Sequence, residues 1–395
     1  MNYNQLSLEM HEKLVGKIAV ISKTPVNTKE DLSIAYTPGV AEPCKRIEAN
    51  PEEVYRYTAK SNLIAVVSNG TAVLGLGNIG AAASIPVMEG KCVLFKEFGN
   101  VEAFPICLDT EDPEEVVRIV KAMEPVFGGI NLEDIAAPAC FEIEEKLKKV
   151  LNIPVFHDDQ HGTAIVTVAA VVNALKLTGK KMSDITAVIN GSGAAGNSIA
   201  GMLTEMGIGD LLMCDRKGII SRNRPDLDPY KKKLSQTTNK NNLEGTLTDA
   251  MKGADIFIGV SAPNVVTKDM VRSMNEKAIV LPMANPIPEI MPEEAREAGA
   301  YIIGTGRSDF PNQVNNVLAF PGVFRGALDV RASDINEAMK IAAAKALADA
   351  VGDKLSVDMI LPLPFDTGYM EQVAQAVKQA AIESGVARIN FNNQE

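Results

Sequence analysis

Two acidic pairs, Glu133-Asp134 in INLEDIAAP and Asp158-Asp159 in IPVFHDDQHGT, carry the side chains best suited to hold a divalent cation. Hard oxygen ligands suit Mg2+ or Mn2+, and without a Cys cluster or an HExxH pair a zinc site is not expected. Taken alone, each pair also reads as a solvated surface or a helix cap. His157 and His161 flank the second pair and read as structural or supporting residues. The pattern Gly-x-Gly-x-x-Gly occurs at Gly75, Gly77 and Gly80, and again at Gly191, Gly193 and Gly196. The second copy has the context that dinucleotide chemistry needs. A strand (DITAVIN) precedes it, a helix (NSIAGMLTEM) follows, and Asp215 ends the next strand about 20 residues on. The backbone of Gly191, Ser192, Gly193, Ala194, Ala195 and Gly196 would then approach a pyrophosphate at a helix amino end. Asp215 would accept from both ribose hydroxyls, which favours NAD, while the adjacent Arg216 and Lys217 leave NADP open. The first copy lacks such an acidic residue and reads as a tight turn that could shape a substrate pocket.

These residues need a layered α/β frame. Short apolar runs between residues 60 and 110 (NLIAVVSNG, TAVLGLGNIG, KCVLFK, FPICLD) predict a small sheet, and EDPEEVVRIVKAM and FEIEEKLKKVLN predict amphipathic helices. IPVFHDD reads as a strand ending at the acidic pair, the end where α/β proteins place their chemistry. GTAIVTVAAVVNALKLTG then reads as a buried helix. DITAVIN, DLLMCD, ADIFIGVS, AIVLPMANP and AYIIGTG read as strands of a parallel sheet, before two alanine-rich helices that could pack on either part. The expected fold class is α/β. An N-terminal α/β substrate and metal domain (1–160) precedes a Rossmann-like, doubly wound parallel sheet with C-terminal helices (161–395).

Composition narrows the partners. The 395 residues are 46% hydrophobic, enough for about two globular domains. A net charge of -11 gives no general positive field for nucleic acid. The N-terminus lacks the basic start and apolar core of an export signal, no stretch reaches about 18 uninterrupted apolar residues, and five scattered cysteines suit a reducing compartment. A cytoplasmic protein with no membrane partner is expected.

The motifs AYTPGVAEPC, SNGTAVLGLGNIG, IPVMEGKCVLFK, INLEDI, FHDDQHGTA, the second glycine motif, ANPIPEI and GRSDFPNQVNNVLAFPG occur in that order and together resemble the malic enzyme family, in its short bacterial form. The resemblance implies oxidative decarboxylation of (S)-malate with NAD(P), a divalent metal and a homodimer. It implies Glu133, Asp134 and Asp159 as metal ligands, and Asp158 as a catalytic carboxylate paired with Lys91. Lys91 would be the general base, Tyr36 the general acid, and Asn285, Asn315 and Asn316 substrate-binding amides. On local sequence alone Lys91 reads as a solvated turn residue and Tyr36 as a packing residue. The long-chain branch of the family carries an arginine where this sequence has Thr71-Ala72, so Thr71, the asparagines or the metal would have to meet a substrate carboxylate. One rival activity fits the same residues, oxaloacetate decarboxylation without net redox chemistry; a dinucleotide-holding sensor without turnover is a further alternative, for which Tyr36, Lys91 and the acidic set would be unnecessary.

Overall fold

A computed structural model describes residues 2–73 and 75–389; Leu74, within the first glycine segment, lies outside them. Apolar, β-branched runs form two sheets. The first contains β1 (Leu63–Ser68), β2 (Glu102–Cys107), β3 (Gly129–Leu132) and β4 (Val155–His157), in the order β2-β1-β3-β4 and wholly parallel. The second contains β5 (Thr186–Asn190), β6 (Asp210–Asp215), β7 (Gly218–Ile219), β8 (Ile256–Gly259), β9 (Ile279–Pro282) and β10 (Ile302–Ile303). Its order is β10-β9-β8-β5-β6-β7, parallel except for β7 against β6. The fold is α/β as expected. Because β6 and β8 lie on opposite sides of β5, the strand order reverses at the carboxyl end of β5, where doubly wound sheets open a ligand crevice.

Two of the expected strands do not form. KCVLFK lies inside the helix Gly80–Gly99, where Met88, Cys92 and Phe95 fall at helical spacing and are buried. A short apolar run cannot be assigned by periodicity alone, and the helical repeat shows only over the longer segment. The described residues of TAVLGLGNIG form a turn: Val73 and Gly77 make one antiparallel bridge, and Gly75, Gly77 and Gly80 have φ of 76°, 74° and 78°, which favour glycine.

The helix Asp158–Thr178 starts directly after β4 and is long and apolar enough to cross a bilayer, but 72% of its apolar window is buried inside the protein. It is a core helix. Against it lies Glu337–Asp349, and Tyr369–Glu383 packs in turn on Glu337–Asp349 and on the helix Phe320–Asp329. The C-terminal helices therefore touch both parts of the chain. Phe320 and Phe324, from the helix Phe320–Asp329, meet Phe95 edge-on with ring centroids 4.6 and 5.3 Å away, and Phe324 also meets Phe156 at 5.8 Å. One apolar cluster runs from Ile64 and Val66 of β1 through Phe95, Ile165 and Phe324 to Ile189 of β5. By contrast, the helices Tyr3–Leu14, Lys29–Ala35 and Ala41–Ala49 bury no residue at all. This arm is tied to the helix Gly80–Gly99 by Lys17, whose backbone N–H donates to Glu89 (2.8 Å) and whose Nζ donates to the Pro86 carbonyl (2.6 Å).

The glycine turn after β5 assigns its three glycines different tasks. A Cβ at Gly196 would stand 1.8 Å from the Gly191 carbonyl oxygen, so the helix Ala194–Glu205 can close on the strand only without one. At Gly191 the φ of 122° and a Cβ 2.4 Å from the Val260 carbonyl oxygen exclude a side chain as well. Gly193 has an ordinary φ of -81° and nothing within 4 Å of an added Cβ. That side of the turn is open. Two outcomes follow. Gly196→Ala should lower stability by about 3 kcal/mol, whereas Gly193→Ala should leave the melting temperature in place and weaken dinucleotide binding, read by thermal melts and cofactor titration. Phe324→Ala should cost about 3 to 5 kcal/mol in denaturant unfolding, because its ring fills the join between the two sheets.

Candidate active site

Lys91 projects from the middle of the helix Gly80–Gly99 into the carboxylates at the ends of β3 and β4. It is 8% exposed, so the solvated turn read from its neighbours is overturned. Its Nζ lies 2.6 Å from Asp158 Oδ2 and 2.9 Å from Glu133 Oε1, and 4.2 Å above the Phe320 ring. Burial alone would pull its pKa down, but Asp158, Glu133 and Asp159 outweigh it and hold Lys91 above the usual lysine range. Asp158 is fully buried and also accepts from the Asn316 side-chain amide. Gly162, one turn along the same helix, makes room for it: a Cβ there would fall 1.8 Å from Asp158 Oδ1.

Beside Lys91, oxygens of Glu133, Asp134 and Asp159 all lie within 4.8 Å of one another. Asp134 has a φ of 53°, an uncommon conformation for a residue with a side chain. It is held there by its N–H to Asp159 Oδ2 (2.8 Å) and by the Ala72 N–H donating to its carbonyl (3.0 Å). Glu133 accepts from Asn131 Nδ2 at 2.9 Å. Burial pushes Asp134 up to about 8, and the charges of Asp159 and Glu133 add to that push. Asp134 Oδ2 is buried with no partner. Three crowded carboxylates and an orphaned oxygen fit a hard divalent cation, which would relieve both the repulsion and the missing bond. His157 is fully buried, and burial pulls it down to about 4, leaving a neutral ring 3.9 Å from Asp159. His161 turns away to Glu144 (2.7 Å) and Lys340 (3.2 Å), a supporting position.

The remaining expected residues divide. Asn316 joins the cluster through Asp158, whereas Asn315 uses its oxygen to cap the short turn Asn316–Leu318 by accepting from the Val317 N–H. Asn285 sits on the loop after β9, its Nδ2 3.4 Å from the Met283 carbonyl. Thr71 is committed elsewhere: its hydroxyl donates to Asn69 (2.7 Å) and accepts from the Ala136 N–H (2.9 Å), stitching two site loops together. Tyr36 is not a packing residue. It is 66% exposed at the end of the helix Lys29–Ala35, and no hydrogen bond or ring contact among the described residues joins it to Lys91 or Asp158.

At the end of β5 opens a cleft of about 710 Å3 whose walls include Gly191, Ser192, Asp215, Arg216, Lys231 and Ser261. The crevice lies at the strand-order reversal, with the open face of Gly193 in the same turn, and so fits a dinucleotide. Asp215 lines it, but its carboxylate is not free: Arg224 grips both oxygens, and Lys231 and the Lys217 N–H bind one each. Burial would raise Asp215, and these donors more than offset it. Sequence reasoning missed Arg224 and Lys231. It also missed Glu289, a fully buried carboxylate that accepts from the Ser261 N–H and hydroxyl and from the Ala284 N–H. The signal for Glu289 was an acid standing between the apolar residues of ANPIPEI.

Known proteins match this arrangement in order. Residues 15–115 and 110–148 match the family described as malic enzyme, N-terminal domain, and residues 160–382 match malic enzyme, NAD binding domain. A bifunctional malic/malolactic enzyme of Bacillus subtilis is 58% identical over 100% of this chain and 97% of its own length. An NAD-dependent malic enzyme of Geobacillus stearothermophilus is 54% identical over 98% of this chain and 81% of its own length. The crystal structure of an NAD-dependent malic enzyme from Thermotoga maritima superposes with a TM-score of 0.92 at 48% identity, covering 94% of this chain and 98% of that one. Since both halves of the chain match in sequence and the whole matches in shape, it belongs to the malic enzyme family.

Proposed function

We propose that the chain oxidatively decarboxylates (S)-malate to pyruvate and CO2, reducing NAD(P)+, with Mg2+ or Mn2+ held by Glu133, Asp134 and Asp159. The observation that carries this reading is Lys91, a buried amine wedged between Asp158 and Glu133 at the edge of a three-carboxylate cluster. When bound, the cation supplies Lewis-acid polarisation of the substrate oxygens and offsets the carboxylate charge that keeps Lys91 protonated, and the nicotinamide supplies the hydride acceptor. Lys91 Nζ takes the proton of the malate 2-hydroxyl as hydride leaves C2. Asp158 and Asn316 hold that amine in line. The amides of Asn285, Asn315 and Asn316 orient the substrate carboxylates. After CO2 departs, the Tyr36 hydroxyl returns a proton to C3.

The division of labour follows the chain. Residues 1–160 form the substrate and metal part, and residues 161–395 the dinucleotide part, with Gly191 to Gly196 facing the pyrophosphate. A homodimer completes the protein: Leu8, Val20, Ile21 and Ile34 of the N-terminal arm are half or more exposed, and a second copy would cover them. Tyr36 stands on that arm, so packing of the arm is what would fix its position. The cysteine pattern suits the cytoplasm.

The test is absorbance at 340 nm with (S)-malate, Mn2+ and NAD or NADP, with pyruvate assayed in the same tube. Equal amounts of reduced cofactor and pyruvate support the proposal. A second reading comes from the name of the Bacillus subtilis relative: lactate appearing without net reduced cofactor would assign malolactic chemistry. Pyruvate release from oxaloacetate alone would assign a simple decarboxylase. Lys91→Ala should lower kcat for malate oxidation by about 10²- to 10⁴-fold, the worth of a general base, while dinucleotide titration still registers binding. Asp134→Asn separates the metal role: at pH 9, above the raised Asp134 pKa of about 8, it should raise the melting temperature of the metal-free protein by removing a crowded charge. It should also abolish the stabilisation by Mn2+, which in the unaltered chain amounts to about 2.7 kcal/mol at one hundred times the dissociation constant.

A further inference from the structure

Asp215 is the residue whose charge would select NAD, and its four acceptor positions are all filled. Oδ1 accepts from the Lys217 N–H (2.9 Å) and Arg224 Nη1 (2.8 Å). Oδ2 accepts from Arg224 Nη2 (3.0 Å) and Lys231 Nζ (2.9 Å). A carboxylate offers about four lone-pair sites, so none remains for the two ribose hydroxyls. Freeing them would break a bidentate, charge-assisted pair whose side chains are only 14% and 11% exposed. Arg224 is itself braced by Asp226, at 3.1 Å from Nε and 2.9 Å from Nη2, and Lys217 Nζ holds Asp226 from the other side at 2.8 Å. The network is closed on itself, and its acidic charge is spent.

What the same cleft leaves available is positive. Arg216 is exposed on the cleft wall and has no acidic partner among the described residues. Lys231, also on the wall, uses one hydrogen-bond donor on Asp215 and approaches Asp228 only at 3.9 Å. A guanidinium and an ammonium beside a neutralised aspartate form a receptor for a phosphate monoester, not for a vicinal diol.

We infer that the adenosine end of this cleft is built for a 2'-phosphorylated ribose, so that NADP is the preferred cofactor. Arg216 and Lys231 hold the phosphate, and Arg224 sets the specificity by occupying Asp215. The inference rests on the dinucleotide reading above and reverses the NAD preference expected from Asp215 alone. It requires no oxidation of malate to be tested.

The unaltered full-length protein should bind adenosine 2',5'-bisphosphate at least about tenfold more tightly than 5'-AMP in calorimetric titration, one charged hydrogen bond being worth at least that factor. Arg216→Ala and Lys231→Ala should each shrink that ratio. Arg224→Gln should do so by a different route, tightening 5'-AMP and NAD as Asp215 is released to the ribose. In turnover, the ratio of kcat/KM for NADP to that for NAD should fall in all three variants. Equal affinity of the unaltered protein for the two nucleotides would overturn the inference, as would variants that lose both nucleotides in the same proportion. If the bisphosphate is favoured but malate is not oxidised, the phosphate site stands and the malate reading falls.

Discussion

Everything at this site depends on placing a lysine where water cannot reach it and surrounding it with more negative charge than it can neutralise. Lys91 bridges Asp158 and Glu133 at 2.6 and 2.9 Å, with no side chain of the three more than 8% exposed. Removing one partner of such a pair typically costs about 3 to 5 kcal/mol, because the other charge is left buried and alone. The surroundings must therefore be rigid. Phe95, Phe320 and Phe324 pack edge to face beneath the amine, and the two aromatic-bearing helices come from opposite ends of the chain. The helix Phe320–Asp329 returns to the first sheet and backs the helix that carries the lysine.

The same economy of space governs the acidic side. Asp158 and Asp159 open the helix Asp158–Thr178, whose amino end favours negative charge, and this partly offsets the cost of crowding them. Asp134 is fixed in a left-handed backbone conformation by bonds from Ala72 and to Asp159, and Thr71 secures the loop beyond it through Ala136. The position that carries arginine in the long-chain branch of the family here serves to hold the acidic loop.

Much of this was legible in the sequence, for local reasons. Strand ends, the helix after the second glycine motif and the acidic pairs are set by patterns a few residues long. The glycines of that motif are explained by backbone approaches within the turn itself. What was not legible is contact between distant segments. KCVLFK reads as a strand because only the whole segment from Gly80 to Gly99 reveals a helical repeat, so Lys91 was placed in solvent rather than in a buried helix. Asp215 reads as a free acceptor because its partners Arg224 and Lys231 lie on a later connection that folds back over the strand end. Tyr36 shows the converse: its motif is clear, but it stands 66% exposed, and no hydrogen bond among the described residues joins it to the lysine cluster.

The dinucleotide and substrate sides are joined at the strand ends as well as through the core. Glu289 has no exposed surface, so its oxygens must find donors inside the protein, and they find them on two connections: Ser261 after β8 and Ala284 after β9. Ser261 also accepts from Asn190, the last residue of β5, at 2.8 Å. Three strand ends thus converge on one carboxylate. The first leads into the glycine turn, and the third carries Asn285. Displacing either loop would leave a buried acceptor short of a partner, at a cost of about 1 to 3 kcal/mol or more for a charged group. Order in the turn after β5 and order in the loop after β9 are therefore linked through one carboxylate, which the second of these loops itself carries.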